Sequence, residues 1–115
     1  MSTVAVDLVF TALADATRRQ LLERLATAGP ASASTIAEEL PITRQANAKH
    51  LLVLESAGLV TRARHGKSIW FHAEPHQLAA TGRWLQRMAG RWEEADEQLS
   101  GNHAAASINQ VRHAI

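Results

Sequence analysis

Apolar residues recur at helical spacing along the first third of the chain and predict two helices. The first covers residues 4–14, and its apolar stripe consists of Val6, Val9, Phe10 and Leu13. Thr17 is the predicted N-cap of the second helix. That helix is predicted to end at Gly29, which can take the left-handed conformation of a helix C-terminus, and Pro30 prevents continuation.

Two shorter helices are predicted next. Ser32, Ser34 and Thr35 mark the start of the third helix, Thr35 and Glu38 match a capping box, and Pro41 ends the helix. Thr43 is the predicted N-cap of the fourth helix, which Gly58 terminates. Two short helices joined by a turn of about three residues have the geometry of a helix-turn-helix.

The fourth helix is followed by two β-prone runs, LVTRAR and SIWFH, with HGK between them. Two such runs around a short glycine-containing connection predict a β-hairpin, here with a positively charged tip. A helix-turn-helix followed directly by a basic hairpin is a winged helix. The predicted fold class is therefore mainly α with a small β-hairpin, a winged helix-turn-helix domain with a long C-terminal dimerisation helix.

The apolar pattern that predicts this long helix, from about residue 76 to 99, has a period of seven. Its members are Leu78, Leu85, Trp92 and Leu99, with Met88 at an intervening position. The alternatives are a partner helix from a second copy and packing against the chain's own core. A helix of this length spans about 36 Å, longer than so small a domain covers, and this favours the second copy.

The formal net charge of +1 is unevenly distributed along the 115 residues. Residues 1–40 carry three basic and five acidic side chains, and residues 73–115 carry four and five. Residues 41–72 carry five basic side chains against Glu55 alone, a net charge of +4. Such a block indicates a surface for a polyanion. Charge alone equally fits a solvated basic face.

Side chains at the start of the fourth helix have the chemistry to contact bases. In a helix-turn-helix, the N-terminal residues of the second helix enter the major groove. The amides of Gln45 and Asn47 can pair with adenine, and Arg44 can pair with guanine or bind phosphate. The predicted DNA-binding residues are Thr43, Arg44, Gln45, Asn47, Ala48 and Lys49 on the helix, and Arg62, Arg64, His65 and Lys67 on the hairpin.

Several classes of function are not expected. The chain has no cysteine, which excludes thiolate metal sites and disulfides. No local spacing of the six histidines supplies the three or four ligands of a zinc site, so no metal and no cofactor is expected. No catalytic motif is present, so the protein is not expected to be an enzyme. The absence of a signal peptide and of a long apolar run predicts a cytoplasmic protein without membrane contact.

Residues 9–72 closely resemble the ArsR family of winged-helix repressors. The resemblance rests jointly on the motifs ALAD-TRRxLLxxL and KHLxxLExAGLV and on the basic hairpin. RWLQRMAGRWEEADEQL is similar to the C-terminal helix of a subgroup without metal sites. The family resemblance implies a homodimer built on the first and last helices, an inverted-repeat operator and release from DNA by a signal. The implied interface residues are Val6, Phe10, Leu78, Leu85, Met88, Trp92 and Leu99.

The sequence departs from the family at its sensor and in its recognition helix. Ser34, Thr35 and Ile36 stand where metal-sensing members carry a cysteine pair, and no histidine lies between Gln77 and Ser100. The usual metal sensors are therefore missing, and an unidentified small-molecule effector is one candidate for the signal. Asn47 and Ala48 replace an apolar residue and a serine that are more frequent in the family.

We expect residues 1–100 to form one DNA-binding and dimerisation domain, and residues 101–115 a loose tail. The expected function is that of a dimeric repressor that binds double-stranded DNA sequence-specifically and occludes a promoter. The alternative is a winged-helix protein-interaction module without sequence-specific DNA binding, since a fold does not fix its function.

Overall fold

The computed structural model describes residues 3–100, and the predicted loose tail over residues 101–115 lies outside them. The five helices and the hairpin follow one another in the order expected for a winged helix, with one further short strand between α2 and α3. They are α1 (Thr3–Leu13), α2 (Ala16–Ala28), β1 (Ala31–Ser32), α3 (Ala33–Glu39), α4 (Arg44–Ser56), β2 (Val60–His65), β3 (Ser68–Ala73) and α5 (Pro75–Ser100).

The chain separates into two compact units with the boundary after Thr81. The first unit holds α1 to α4, the sheet and the first residues of α5. The described part of the second unit is helical from Gly82 to Ser100. Within residues 3–100, no helix is both long enough and apolar enough to cross a membrane.

The core of the first unit lies between α1 to α4 and the sheet. Its fully buried leucine and isoleucine side chains are Leu21, Ile36, Leu51, Leu54 and Leu59. Burying each of these contributes about 1.5–3 kcal/mol relative to leaving it exposed. Two of the leucines, at positions 51 and 54, belong to α4, so one face of that helix is fixed against the core and the opposite face is turned to solvent.

Two helices begin earlier than the sequence predicts. The N-cap of α2 is Asp15 and not Thr17, because the Asp15 carboxylate accepts a hydrogen bond from the Arg18 backbone N–H at 3.0 Å. The N-cap of α3 is Ser32, whose Oγ accepts from the Thr35 backbone N–H at 3.2 Å. Ser32 is thus the one of the three predicted start signals that caps the helix. The capping box of Thr35 and Glu38 is wrong, since Thr35 already lies in the first turn.

The hairpin belongs to a three-stranded antiparallel sheet with the order β1–β3–β2. The sequence did not predict β1, because a strand of two residues has no alternating pattern. His65 pairs with Ser68, so the turn consists of Gly66 and Lys67 and not of the three residues expected. Gly66 has φ +62°, the left-handed region that two-residue hairpin turns require. This tight turn places Lys67 at the tip.

Candidate nucleic-acid interface

The N-terminal turn of α4 presents a basic and polar surface. Thr43 Oγ1 accepts a hydrogen bond from the Ala46 backbone N–H at 3.1 Å, which confirms the predicted N-cap. The exposed residues that follow it lie one turn apart in two adjacent pairs, Arg44 with Ala48 and Gln45 with Lys49. They therefore share one face of the helix. We call this set, together with Thr43, the α4 face.

Asn47 does not belong to the α4 face. Its side chain is buried, with 1% of its surface exposed, and its Nδ2 donates a hydrogen bond to the carbonyl oxygen of Ala33 at 3.0 Å. The prediction that Asn47 contacts bases is therefore wrong, because its amide is held inside the protein against the first residue of α3. One buried stripe of α4 contains Asn47, Leu51 and Leu54, which are four and three positions apart. This helical spacing was the pattern in the sequence that could have indicated that Asn47 is buried.

Arg62 is bound within the hairpin and α4. Its Nε and Nη2 donate to the two carboxylate oxygens of Glu55 at 2.7 and 2.8 Å, and its guanidinium lies 5.3 Å from the centre of the Phe71 ring. Hydrogen bonding to Glu55 raises the pKa of Arg62. The pair joins the last turn of α4 to β2, and the two charges offset each other. Arg62 therefore links β2 to α4, and its offset charge makes it a weaker phosphate ligand than an unpaired cation.

The net charge of the central block is consequently carried by four other side chains. Arg44 and Lys49 lie on the α4 face, Arg64 lies on β2, and Lys67 lies in the turn. All four are exposed, and within the described part of the chain none of them has an ion-pair partner. Phosphate binding needs such uncompensated cations, because neutralised phosphates release their counterions.

His65 has a different arrangement from the other hairpin candidates. Its Nε2 lies 3.3 Å from Nε2 of His72, and its ring centre lies 5.1 Å from that of Trp70. Alternation along the strands places all three on one face of the hairpin, opposite the buried Phe71. We call these three residues the outer face of the hairpin.

Arg18 connects three helices, a role that no local sequence pattern predicts. Its Nε and Nη2 donate to the carbonyl oxygens of Ala12 and Thr11 at 2.7 and 3.0 Å. Its Nη1 lies 3.4 Å from Nδ1 of His50 on α4. The hydrogen bond from the Arg18 backbone N–H also lowers the pKa of Asp15 and is the largest cause of that shift. Arg18 thereby holds the α1–α2 junction close to the middle of α4.

Of the three first-unit residues in the predicted dimer interface, two are exposed: Phe10 at 38% and Leu78 at 41%. Val6 is 6% exposed and already buried within one chain. Its assignment to the interface is therefore wrong, because it has almost no surface left to offer a partner. Val6 is a core position on the apolar stripe of α1.

The second unit carries a strongly apolar surface. The exposed fractions are 48% for Leu85, 41% for Met88, 66% for Trp92 and 55% for Leu99. An open groove of about 560 Å³ lies between Trp84 and Trp92, and its lining is almost entirely apolar. Large apolar side chains in one exposed stripe mark an interaction surface.

Comparisons with known proteins agree with this arrangement. A family model described as a helix-turn-helix domain matches residues 13–63. The HTH-type transcriptional regulator Rv2034 of Mycobacterium tuberculosis is 41% identical over 81 residues, which cover 70% of this chain and 75% of the relative. The solved ArsR-like transcriptional regulator from Rhodococcus sp. RHA1 is 35% identical, covering 94% of this chain and 92% of that one, with a TM-score of 0.74.

A further solved structure is the homodimeric winged helix-turn-helix DNA-binding domain Mb0332 of Mycobacterium bovis. It is 28% identical, covers 75% of this chain and 79% of that one, and has a TM-score of 0.61. The fold and these similarities together define the class as a winged helix-turn-helix regulator. The chain belongs to the ArsR family of transcriptional regulators.

Proposed function

We propose that two copies of this protein bind an inverted-repeat operator and repress transcription by occluding a promoter. The observation that carries the proposal is the α4 face, an exposed polar and basic helical turn at the N-terminus of the second helix of the helix-turn-helix. Side chains at that position enter the major groove in this motif. As the relatives are bacterial regulators, we place this activity in the cytoplasm.

Within this proposal the residues have separate roles. Gln45 pairs with a base edge, and Arg44 and Lys49 contact either guanine or the phosphates beside it. Thr43 fixes the start of the helix through its cap, and Ala48 allows close approach or contacts a thymine methyl group. Arg64 and Lys67 hold the backbone or reach an adjacent minor groove. Arg62 supports them by fixing β2 to α4.

A dimer explains the exposed apolar surfaces. The first unit offers Phe10 and Leu78, and the second offers the stripe of Leu85, Met88, Trp92 and Leu99. The similar Mb0332 domain is a homodimer, and an isologous two-fold dimer is the commonest assembly. Two recognition helices in such a dimer contact half-sites about 34–36 Å apart, one turn of DNA.

Selection of bound fragments from the source genome tests this function directly. The full chain is mixed with sheared genomic DNA at about 0.15 M salt, and the retained fragments are sequenced. The proposal expects a small set of promoter fragments that share an inverted repeat with half-sites one helical turn apart. Retention without sequence preference would contradict it and would favour the protein-interaction alternative.

The dimer has its own test. Light scattering at micromolar concentration is expected to give twice the mass of the 12.5 kDa chain. A monomer under these conditions would contradict the assignment of the apolar stripe to self-association. It would leave the roles of the α4 face open to separate measurement.

A further inference from the structure

The outer face of the hairpin brings together two imidazoles from neighbouring strands. Nε2 of His65 on β2 lies 3.3 Å from Nε2 of His72 on β3, and the ring centres are 5.4 Å apart. The two residues are seven positions apart in the sequence, and it is the tight turn at Gly66 that allows their strands to pair. The base and phosphate contacts proposed for the α4 face, Arg64 and Lys67 do not use this pair.

The separation of the two nitrogens fits a shared metal ion. Zinc binds imidazole nitrogen at about 2.0–2.1 Å with tetrahedral angles, so two ligand nitrogens on one ion stand about 3.3–3.4 Å apart. The same separation also allows an N–H···N hydrogen bond between the two rings in one tautomer, so a metal titration has to distinguish the two arrangements. We propose that His65 and His72 bind one divalent transition-metal ion of the kind that prefers imidazole, namely Cu²⁺, Ni²⁺ or Zn²⁺.

The surroundings set the strength of this site. Among the described residues, no group of three or more histidine, cysteine or carboxylate side chains converges on one point, so water completes the coordination. Arg64 alternates to the opposite face of the hairpin, and the charge of Arg62 is offset by Glu55. Two protein ligands give a weaker site than the three or four of a typical zinc protein. We therefore expect micromolar binding, strongest for Cu²⁺ as the order of divalent affinities requires.

Trp70 gives the site an optical reporter. Its ring centre lies 5.1 Å from that of His65 on the same face, so a bound Cu²⁺ ion quenches its fluorescence. Replacing Trp70 with Phe removes this signal while leaving both histidines in place. This separates binding at the hairpin from binding elsewhere, since Trp84 and Trp92 remain as internal references.

The test uses the full chain, freed of metal with EDTA and titrated with Cu²⁺ and with Zn²⁺ at pH 7.5 in a calorimeter. We expect one ion per chain and at least a tenfold loss of affinity in both H65Q and H72Q. H76Q is the matched control, because His76 is an exposed histidine outside the pair. The double variant H103Q/H113Q controls for the histidines beyond the described residues. Both controls are expected to bind like the unsubstituted chain.

Two results would overturn the proposal. One is the absence of saturable binding below about 100 μM Cu²⁺, and the other is binding that H65Q and H72Q leave unchanged or that the control variants abolish. Acidification from pH 7.5 to 5.5 is expected to release the ion, because imidazole binds metal only when deprotonated. Circular dichroism confirms that each variant is folded before it is scored.

Discussion

Replacing Asn47 with aspartate tests how α4 is held against α3. The two side chains have the same shape, but aspartate lacks the Nδ2 donor that bonds to the Ala33 carbonyl oxygen at 3.0 Å. The position is 1% exposed, and no residue in the described part of the chain donates a hydrogen bond to Asn47 Oδ1. An ionised carboxylate there would be buried against the Ala33 carbonyl oxygen, with no donor supplied by residues 3–100. We therefore expect the pKa of the introduced carboxyl to be raised, because the neutral acid can donate to Ala33.

The magnitude follows from that change of protonation. Buried carboxyl groups reach pKa values about 3–5 units above normal, and a rise of about three units corresponds to about 4 kcal/mol. The carboxyl holds its proton more tightly in the folded protein than in the unfolded chain. The unfolding free energy of Asn47→Asp is therefore near that of the unsubstituted protein at pH 4 and falls as the pH rises, by about 2–3 kcal/mol between pH 5 and pH 7.

Asn47→Ala is the matched control. It leaves the Ala33 carbonyl without its donor, which costs about 1–3 kcal/mol, but it adds no titrating group. Urea unfolding followed by circular dichroism at half-unit intervals from pH 4.5 to 7.5 gives both curves. Equal stability of Asn47→Asp and the unsubstituted protein at pH 7 would contradict a buried position for this side chain. In that case the side chain is solvated, and Asn47 becomes a candidate for base contact again.

Three further predictions concern the N-cap of α2, the ion pair of Arg62 with Glu55 and the apolar stripe of α5. Asp15→Ala is expected to lower the free energy of unfolding because it removes the N-cap of α2, whereas Asp15→Asn keeps a cap. The Arg18 backbone N–H lowers the pKa of Asp15, so the stability that aspartate adds over asparagine is present above about pH 4 and is lost as the pH falls through the lowered pKa. Measuring the free energy of unfolding at decreasing pH tests this. Glu55→Gln removes the charge that offsets Arg62 and is expected to lower the free energy of unfolding by only about 0–1 kcal/mol. DNA binding is expected to strengthen, and its salt dependence to steepen by about one phosphate contact. Weaker DNA binding would contradict the view that Glu55 offsets the charge of Arg62. Trp92→Ala is expected to raise the dimer dissociation constant at least tenfold in sedimentation experiments, whereas Leu52→Ala, another exposed apolar truncation, leaves it unchanged.

Local patterns were sufficient to predict the order of the five helices and of the hairpin, but not β1. The apolar spacing and cap residues of each helix act within three or four residues, so the helix-turn-helix, the hairpin and the cap at Thr43 could be predicted without tertiary information. The two errors at helix starts came from choosing among adjacent acceptors. Asp15 and Ser32 each stand three residues before the backbone N–H that they bind, and nearby threonines compete for the same role.

Pairings between elements could not be predicted in this way. Polarity alone suggested that Asn47 is exposed, yet the α3–α4 packing supplies a carbonyl acceptor in the interior. The Arg62–Glu55 pair depends on the register of β2 against α4, and the histidine pair depends on a two-residue turn where three were expected. Each of these contacts changes what a candidate residue can do, so the fold was more predictable than the site.

The most direct test of the central claim is the affinity of Gln45→Ala for DNA. Fluorescence anisotropy compares a selected operator with a random duplex of equal length, at several salt concentrations, with Gln20→Ala as an exposed glutamine outside the α4 face. Losing a base contact costs about 1–3 kcal/mol. We therefore expect Gln45→Ala to bind the operator roughly 5- to 150-fold more weakly and the random duplex within twofold, with Gln20→Ala unchanged on both. Equal losses on both duplexes, or no loss on either, would contradict base recognition by the α4 face.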